Sequence, residues 1–477
     1  MNRLHKAGFR NSQGIFVAPP LDAKDHFISD GRDVDTAIQD IGIEIGDAKA
    51  DLRDIQSIIG YASSDIYGLE VDFTNRVYRR LAGAVGRLPG GGFNDINIFS
   101  GRRRCIVADN GTILAFWGDA AYTETGALTV AVTVGSVTFP VGTSAMVMVY
   151  QPRFYYRVVP VALEAVAGGR GYHLRHARYY ISETPRAGFK LHPAFIRQGR
   201  EREFVLIGAY EGSLQQNGIF NLTDEQTANF AVGSGDRLAS RAGAKPASGL
   251  TQQLNRRNCG ILAENRGPGW SQLYAAIASA TQMLMMIEFG TFNTQNAIGR
   301  GVVDFPTGTG NESLNTGATA ALGNSSGMAP GIDGQVSVSY RGQENPWGNI
   351  WECVDGMNFP ANGSNEVFIA DHNFIENRFV DNYVNAGISI SRRNGYISAF
   401  CYSEPFDWLF LPSETWGDSE LPVGDHLWQN WAAVDQRVAY LGALWSHGSL
   451  AGGFCWRLTD AVSHRGRSVG GRLVYVP

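Results

Sequence analysis

Five cysteines, nine histidines, an arginine triplet and a Gly-x-Ser-x-Gly run are the residues of this 477-residue chain from which chemistry could start. Gly323-Asn324-Ser325-Ser326-Gly327 has the spacing of a nucleophile elbow, but such an elbow needs a strand before the serine and a helix after it, and the flanking sequence predicts neither. His173 and His176 fall in Gly171-Tyr172-His173-Leu174-Arg175-His176, which reads as a strand; residues three apart on a strand point to opposite faces, so a shared metal is not expected. Arg102-Arg103-Arg104 and Gly90-Gly91-Gly92 could suggest phosphate binding. No Lys-Ser/Thr follows the glycines and no aromatic residue interleaves with the arginines, so a solvated loop is expected there. Cys105, Cys259, Cys353, Cys401 and Cys455 contain no Cys-x-x-Cys pair and read as reduced and mostly buried. The sequence thus predicts no catalytic residue, metal site or cofactor.

Without such a centre, composition and patterning bound what the chain can be. A formal charge of −5 gives no general drive toward nucleic acid or anionic lipid. Lysine occurs only at positions 6, 24, 49, 190 and 245, so nearly all positive charge is planar, fork-shaped guanidinium. Met1 to Pro20 lacks the apolar run of a secretory signal, and no stretch approaches the roughly 20 apolar residues that span a bilayer; a protein made in a cytoplasm without membrane insertion is expected.

Residues 1–32 mix Gly, Pro and charges without periodicity and read as an extended docking arm. Over 33–60, Val34, Ile38, Ile41, Ile45, Ala48, Leu52, Ile55 and Ile59 alternate steps of four and three, with Asp33 as N-cap and Gly60 as stop. Isoleucine at both seam positions favours more than two strands, and a parallel homotrimer is predicted, against the alternative of a helix packed on its own domain.

Beyond Tyr61 the texture changes to short alternating strands, including Val147–Tyr150, Phe154–Val159 and Phe204–Tyr210, with a Val/Thr hairpin insertion near 127–145. One convincing helix is predicted over Trp270–Phe289, packed on the sheet. Thr307 to Gln335 reads as a long loop. Arg341 to Glu352, with Trp347 and Trp351 around a Pro break and a Gly turn, reads as core.

The ordered segments Tyr67–Phe73, Gln151–Tyr156, His192–Phe195, Gly208–Gly212, Arg266–Trp270, Tyr340–Trp351 and the Gly-rich end Gly452–Trp456 through Gly470–Leu473 resemble the large C-type-lectin-like fold of formylglycine-generating-type proteins and of phage receptor-binding and retroelement-diversified variable proteins. The resemblance covers roughly 65–477 and implies an α+β fold: a large C-type-lectin-like domain preceded by the coiled-coil helix. It implies a virion protein, such as a tail fibre or tail tip, held to other virion proteins by its N-terminus and adsorbing to a host cell-surface receptor, protein or glycan. A structural decoration or fibre protein is the alternative.

A formylglycine-generating oxidase is disfavoured, because the resemblance would require paired copper cysteines, and Cys401 and Cys455 are far apart in sequence. Its iron-binding relatives use a histidine cluster that His426, His447 and His464 do not reproduce. Glu-Pro-Asn and Trp-Asn-Asp calcium motifs are absent as well. The resemblance places the receptor face on Trp445, Ser446, His447, Leu450, Trp456, Arg457, Thr459, Asp460, His464, Arg465 and Arg467, with one of the two tryptophans expected in the core beside Phe454. Ser446, His447, Leu450, Arg457, Thr459, Asp460, His464, Gly466 and Ser468 are all types reachable by randomising the first two bases of an Asn codon, as retroelement diversification does.

Overall fold

The computed structural model describes residues 61, 65–216, 218–221, 235–249, 254–306, 312–361, 363–375, 379 and 381–477, together with the strand pair Phe9–Arg10 and Phe16–Val17. That pair is antiparallel, with Phe9 opposite Val17, a short hairpin inside the predicted arm. The remainder of the arm, the coiled-coil helix over 33–60 and the predicted trimer contact lie outside the described residues. The chain divides into two units, 1–61 and 62–477.

The second unit is β-rich with few helices. Its principal strands are β1 (Ile66–Asp72), β2 (Val77–Ala82), β3 (Arg103–Val107), β4 (Ile113–Phe116), β5 (Met146–Pro152), β6 (Tyr155–Ala165), β7 (Tyr172–Ser182), β8 (Phe204–Gly208), β9 (Trp270–Gln272), β10 (Trp351–Phe359), β11 (Glu366–Ile369), β12 (Val384–Ser389), β13 (Gly395–Tyr396), β14 (Ala399–Tyr402), β15 (Pro412–Glu414), β16 (His426–Gln429), β17 (Arg437–Leu441), β18 (Trp456–Leu458), β19 (Val469–Gly470) and β20 (Leu473–Tyr475); its longest helices are α1 (Arg256–Glu264) and α2 (Ala275–Phe289). One sheet runs β6-β7-β14-β15, with β1 on β7 and β2 on β1. A second runs β9-β20-β8-β5-β3-β4, and a third runs β12-β11-β10-β17-β18-β16-β13, with β19 parallel to β10. The hairpin insertion is a ribbon of Val132–Val134 and Val137–Phe139 closed by an Ala127–Ser144 bridge.

The predicted helix over 270–289 starts later than its apolar spacing suggests. Trp270-Ser271-Gln272 pairs with β20 as a strand, Tyr274 is still extended, and the helix ends where Gly290 takes φ 73°. Every residue of α2 except Phe289 is buried, so it is a core helix rather than an amphipathic one on a surface. Glu288 at its end is buried against the Arg341 fork, with Tyr340 Oη donating to it at 3.0 Å and the Gly90 N–H also at 3.0 Å. The glycine triplet therefore meets a carboxylate of this chain, not a phosphate.

The arginine triplet is corrected more sharply. Arg102 and Arg104 are buried on either side of a strand start, not solvated. Arg102 donates to Gln151 and Gln343, while Arg104 donates to Gly342 O at 2.8 Å and to Glu124 at 3.0 Å. Their partners come from distant segments, which is how a buried guanidinium avoids an uncompensated desolvation cost.

The 341–352 block is core as expected: Trp347, Ile350 and Trp351 are buried. Glu352 pairs with buried Arg472, whose remaining N–H groups donate to the carbonyls of Gly208, Glu344 and Asn345, tying the third sheet to the second. All five cysteines are buried and unbridged.

Candidate functional site

The third sheet supplies a platform because of register. Tyr396 of β13 pairs with His426 of β16, Trp428 pairs in parallel with Arg457 of β18, and Arg457 faces Tyr440 of β17. Strand alternation puts His426 and Trp428 on one face and sends Leu427 into the core. His447, in the turn before the short 3-10 helix Gly448–Leu450, lays its ring on Trp428 with centroids 4.7 Å apart and 27° between planes. His426 meets the same indole at 4.2 Å, and Trp351 closes the cluster from below at 5.6 Å from Trp428 and 5.4 Å from His447. Tyr396 Oη and Ser449 Oγ hydrogen-bond at 3.0 Å at its edge.

Beside the stack, Arg457 donates to Thr459 Oγ1 at 3.1 Å and to Asp460 at 2.8 Å, and His464 Nδ1 lies 3.3 Å from the same carboxylate. Burial pulls the His426 imidazole down to about 4; burial, helped by the charge of Arg457, does the same for His447. Burial also lowers His464, although Asp460 opposes it. At neutral pH the two stacked rings are therefore uncharged, each able to donate at one nitrogen and accept at the other. His426 Nδ1, His447 Nδ1, Trp351 Nε1 and Tyr440 Oη have no hydrogen-bond partner among the described residues. Buried polar atoms left without partners are uncommon; all four are buried, Trp351 and Tyr440 wholly so, and they lie beneath the face that the stack presents rather than on it.

Most of the predicted face is brought together here. His447, Arg457, Thr459, Asp460 and His464 form one half-buried cluster, flanked by Ser446 and Leu450 on the turn. Arg465 is exposed and Arg467 half-buried on the segment where Gly466 O accepts the Gly249 N–H at 3.0 Å. Trp445 and Trp456 are corrected: both are core, at 3% and 2% exposure. Trp445 packs with Val302 and Ile350, and Trp456 spends its N–H on Phe410 O at 2.9 Å, so both support the face without contributing to it. Tyr396, His426 and Trp428 join the face without having been expected there. Their signal is the alternation His426-Leu427-Trp428-Gln429, a strand with an aromatic face.

The chemistry set aside from sequence has structural employment. Asn324 Oδ1 accepts the Arg104 N–H at 2.7 Å, and Ser326 Oγ accepts the Arg341 N–H at 3.1 Å, in a turn with a 3-10 helix before it and a two-residue strand after it. His173 meets Ser413 at 2.9 Å, whereas His176 meets Glu70 at 2.8 Å. Cys401 and Cys455 belong to different core clusters. Among the described residues, no three His, Cys, Asp or Glu side chains are grouped so as to hold a metal ion.

No family model matches the chain, and no curated protein matches it. Among solved structures, the Major Tropism Determinant M1 variant aligns at 11% identity over 78% of this chain and 71% of that one, with a TM-score of 0.28. The I1 variant aligns at 13% identity over the same shares, with a TM-score of 0.29, and the P3c variant at 11% over 79% and 72%, with a TM-score of 0.27. Scores this low identify neither the fold nor the function of this chain.

Proposed function

We propose that this chain is a phage virion protein that binds a host surface receptor through the face built by β13, β16, β18 and residues 446–467, and that it does so without catalysis. The observation that carries the reading is the half-exposed stack of His426, Trp428 and His447 beside the Arg457–Asp460 pair. It combines aromatic area with a part-exposed arginine, the composition of a binding hot spot. The distant structures are named for tropism, but the reading stands on these residues. The N-terminal arm would dock to other virion proteins, and a trimeric coiled coil would raise weak single contacts to useful avidity. Retroelement diversification would act on the turn and loop positions around the stack.

The test replaces His447, Arg457 and His464 together with alanine and measures binding of the full-length protein to cells of the host strain. Adsorption is expected to disappear while the melting profile is kept. Undiminished adsorption by a folded triple variant would place the receptor site elsewhere.

A further inference from the structure

Two tryptophans of the second unit are exposed near its third sheet: Trp416 at 64% and Trp431 at 39%. Both carry an arginine, and the two arginines are consecutive. The Arg393 guanidinium carbon lies 3.4 Å from the Trp416 ring centroid, and that of Arg392 lies 5.2 Å from the Trp431 centroid. The turn bearing them is tied on both sides. Thr415 Oγ1 donates to Arg393 O at 2.9 Å just before Trp416; Asn394 Oδ1 accepts the Gln429 N–H at 2.7 Å, and Gln429 Oε1 accepts the Trp431 N–H at 2.6 Å. The backbone that carries both stacks is thus tied at the edge of the sheet, next to Tyr396 on β13.

Both arginines are exposed, and neither contacts a carboxylate among the described residues; the one hydrogen bond Arg392 makes is to Gly363 O at 3.4 Å. Nearby acids are occupied elsewhere: Asp418 pairs with Arg76, Glu414 with Arg175, and Glu420 accepts from Asn296. A guanidinium resting over an indole, closely for Arg393 at 3.4 Å and more loosely for Arg392 at 5.2 Å, loses little freedom when it binds, and its N–H edge presents a planar fork for a two-oxygen anion. The uncovered indole surface is flat, which suits the C–H face of a pyranose ring, whereas a protein hot spot is usually a pocket filled by an anchor.

We propose that the Arg392–Trp431 and Arg393–Trp416 stacks form a binding site for an anionic polysaccharide, the forks taking carboxylate or phosphate groups and the indoles stacking on sugar rings. The site adjoins the His426–Trp428–His447 stack across β13 and β16 but uses none of its side chains, and it stands whether or not that cluster binds a receptor.

Titration of the full chain with oligogalacturonate, phosphomannan, dextran and polyglutamate, followed by tryptophan emission, tests it; the two anionic glycans distinguish carboxylate from phosphate. Saturable binding of at least one anionic glycan is expected, with none for dextran. It should weaken about tenfold or more in R392A/R393A, a loss of at least one strong charge-assisted contact. R392K/R393K keeps the charge but loses the fork and should also weaken binding, whereas R103A, which removes the Arg103–Phe116 stack on β3 and β4, should not. The proposal is overturned if neither anionic glycan binds, if dextran or polyglutamate binds as well, if the lysine variant binds like the parent, or if R103A is as damaging as R392A/R393A. These side chains are exposed, so the variants should fold, and unchanged melting curves verify it.

Discussion

Arg457 and Arg472 are close in sequence and each pairs with an acid, yet they belong to different kinds of structure. Arg472 is wholly buried, and its fork is shared between Glu352 and three backbone carbonyls from two sheets. Arg457 is half-exposed, and its partners Thr459 and Asp460 lie two and three residues away, just past the end of its own strand. Long-range partners make a residue part of the fold; local partners leave it replaceable. The same contrast separates the histidines. His192 is enclosed by Phe154, Tyr156, Phe195 and Trp408, with Nδ1 accepting the Ala194 N–H at 3.2 Å and Nε2 3.4 Å from Ser279 Oγ, whereas His447 lies on Trp428 with Nδ1 unpartnered among the described residues.

The largest effect should come from Arg472. R472M leaves Glu352 buried without its cation and should cost about 3–5 kcal/mol in urea unfolding, and adding E352L should recover much of the loss. A loss below about 1 kcal/mol would erase the distinction between the two arginines. Next comes the acid side of His192. Burial holds its imidazole down to about 3, against about 6.5 in the unfolded chain, and a proton on Nδ1 would face the Ala194 N–H. The unfolded state therefore binds the proton first. Stability is full above pH 6.5 and falls as pH drops toward 3, by roughly 2 kcal/mol at pH 5 for this residue alone. H192F should flatten that share of the pH dependence, measured by denaturation at pH 7 and pH 5; an unchanged slope would show that His192 is not the group responsible. The smallest stability change is expected on the face. R457A should alter unfolding by no more than about 1 kcal/mol while weakening adsorption, so a large destabilisation would move Arg457 to the structural side.

Local patterns are legible in the sequence and long-range partners are not. The 341–352 block reads as core because two tryptophans bracket a Pro and a Gly within a few residues, and His173 and His176 read as divergent because strand period alone separates them. Trp270 reads as helical because its apolar spacing continues α2, but pairing with β20 holds it in a strand. Arg102 and Arg104 look solvated in sequence because their acceptors, Gln343, Gly342 and Glu124, lie far along the chain or across a turn. The face is legible only in part: its loop residues stand together in the sequence, but Trp428 joins them through the β16–β18 pairing, which no local pattern encodes. Trp445 and Trp456 fail as contacts for the converse reason, each being covered by distant residues such as Val302 and Phe410.

Hydroxyl-radical footprinting of the intact protein on and off host cells tests the central claim most directly. The account predicts that cell binding protects Trp428 and His447, while Trp117, an exposed tryptophan after β4, stays as reactive as in free protein. Protection of Trp117 with no change at Trp428 and His447 would contradict it.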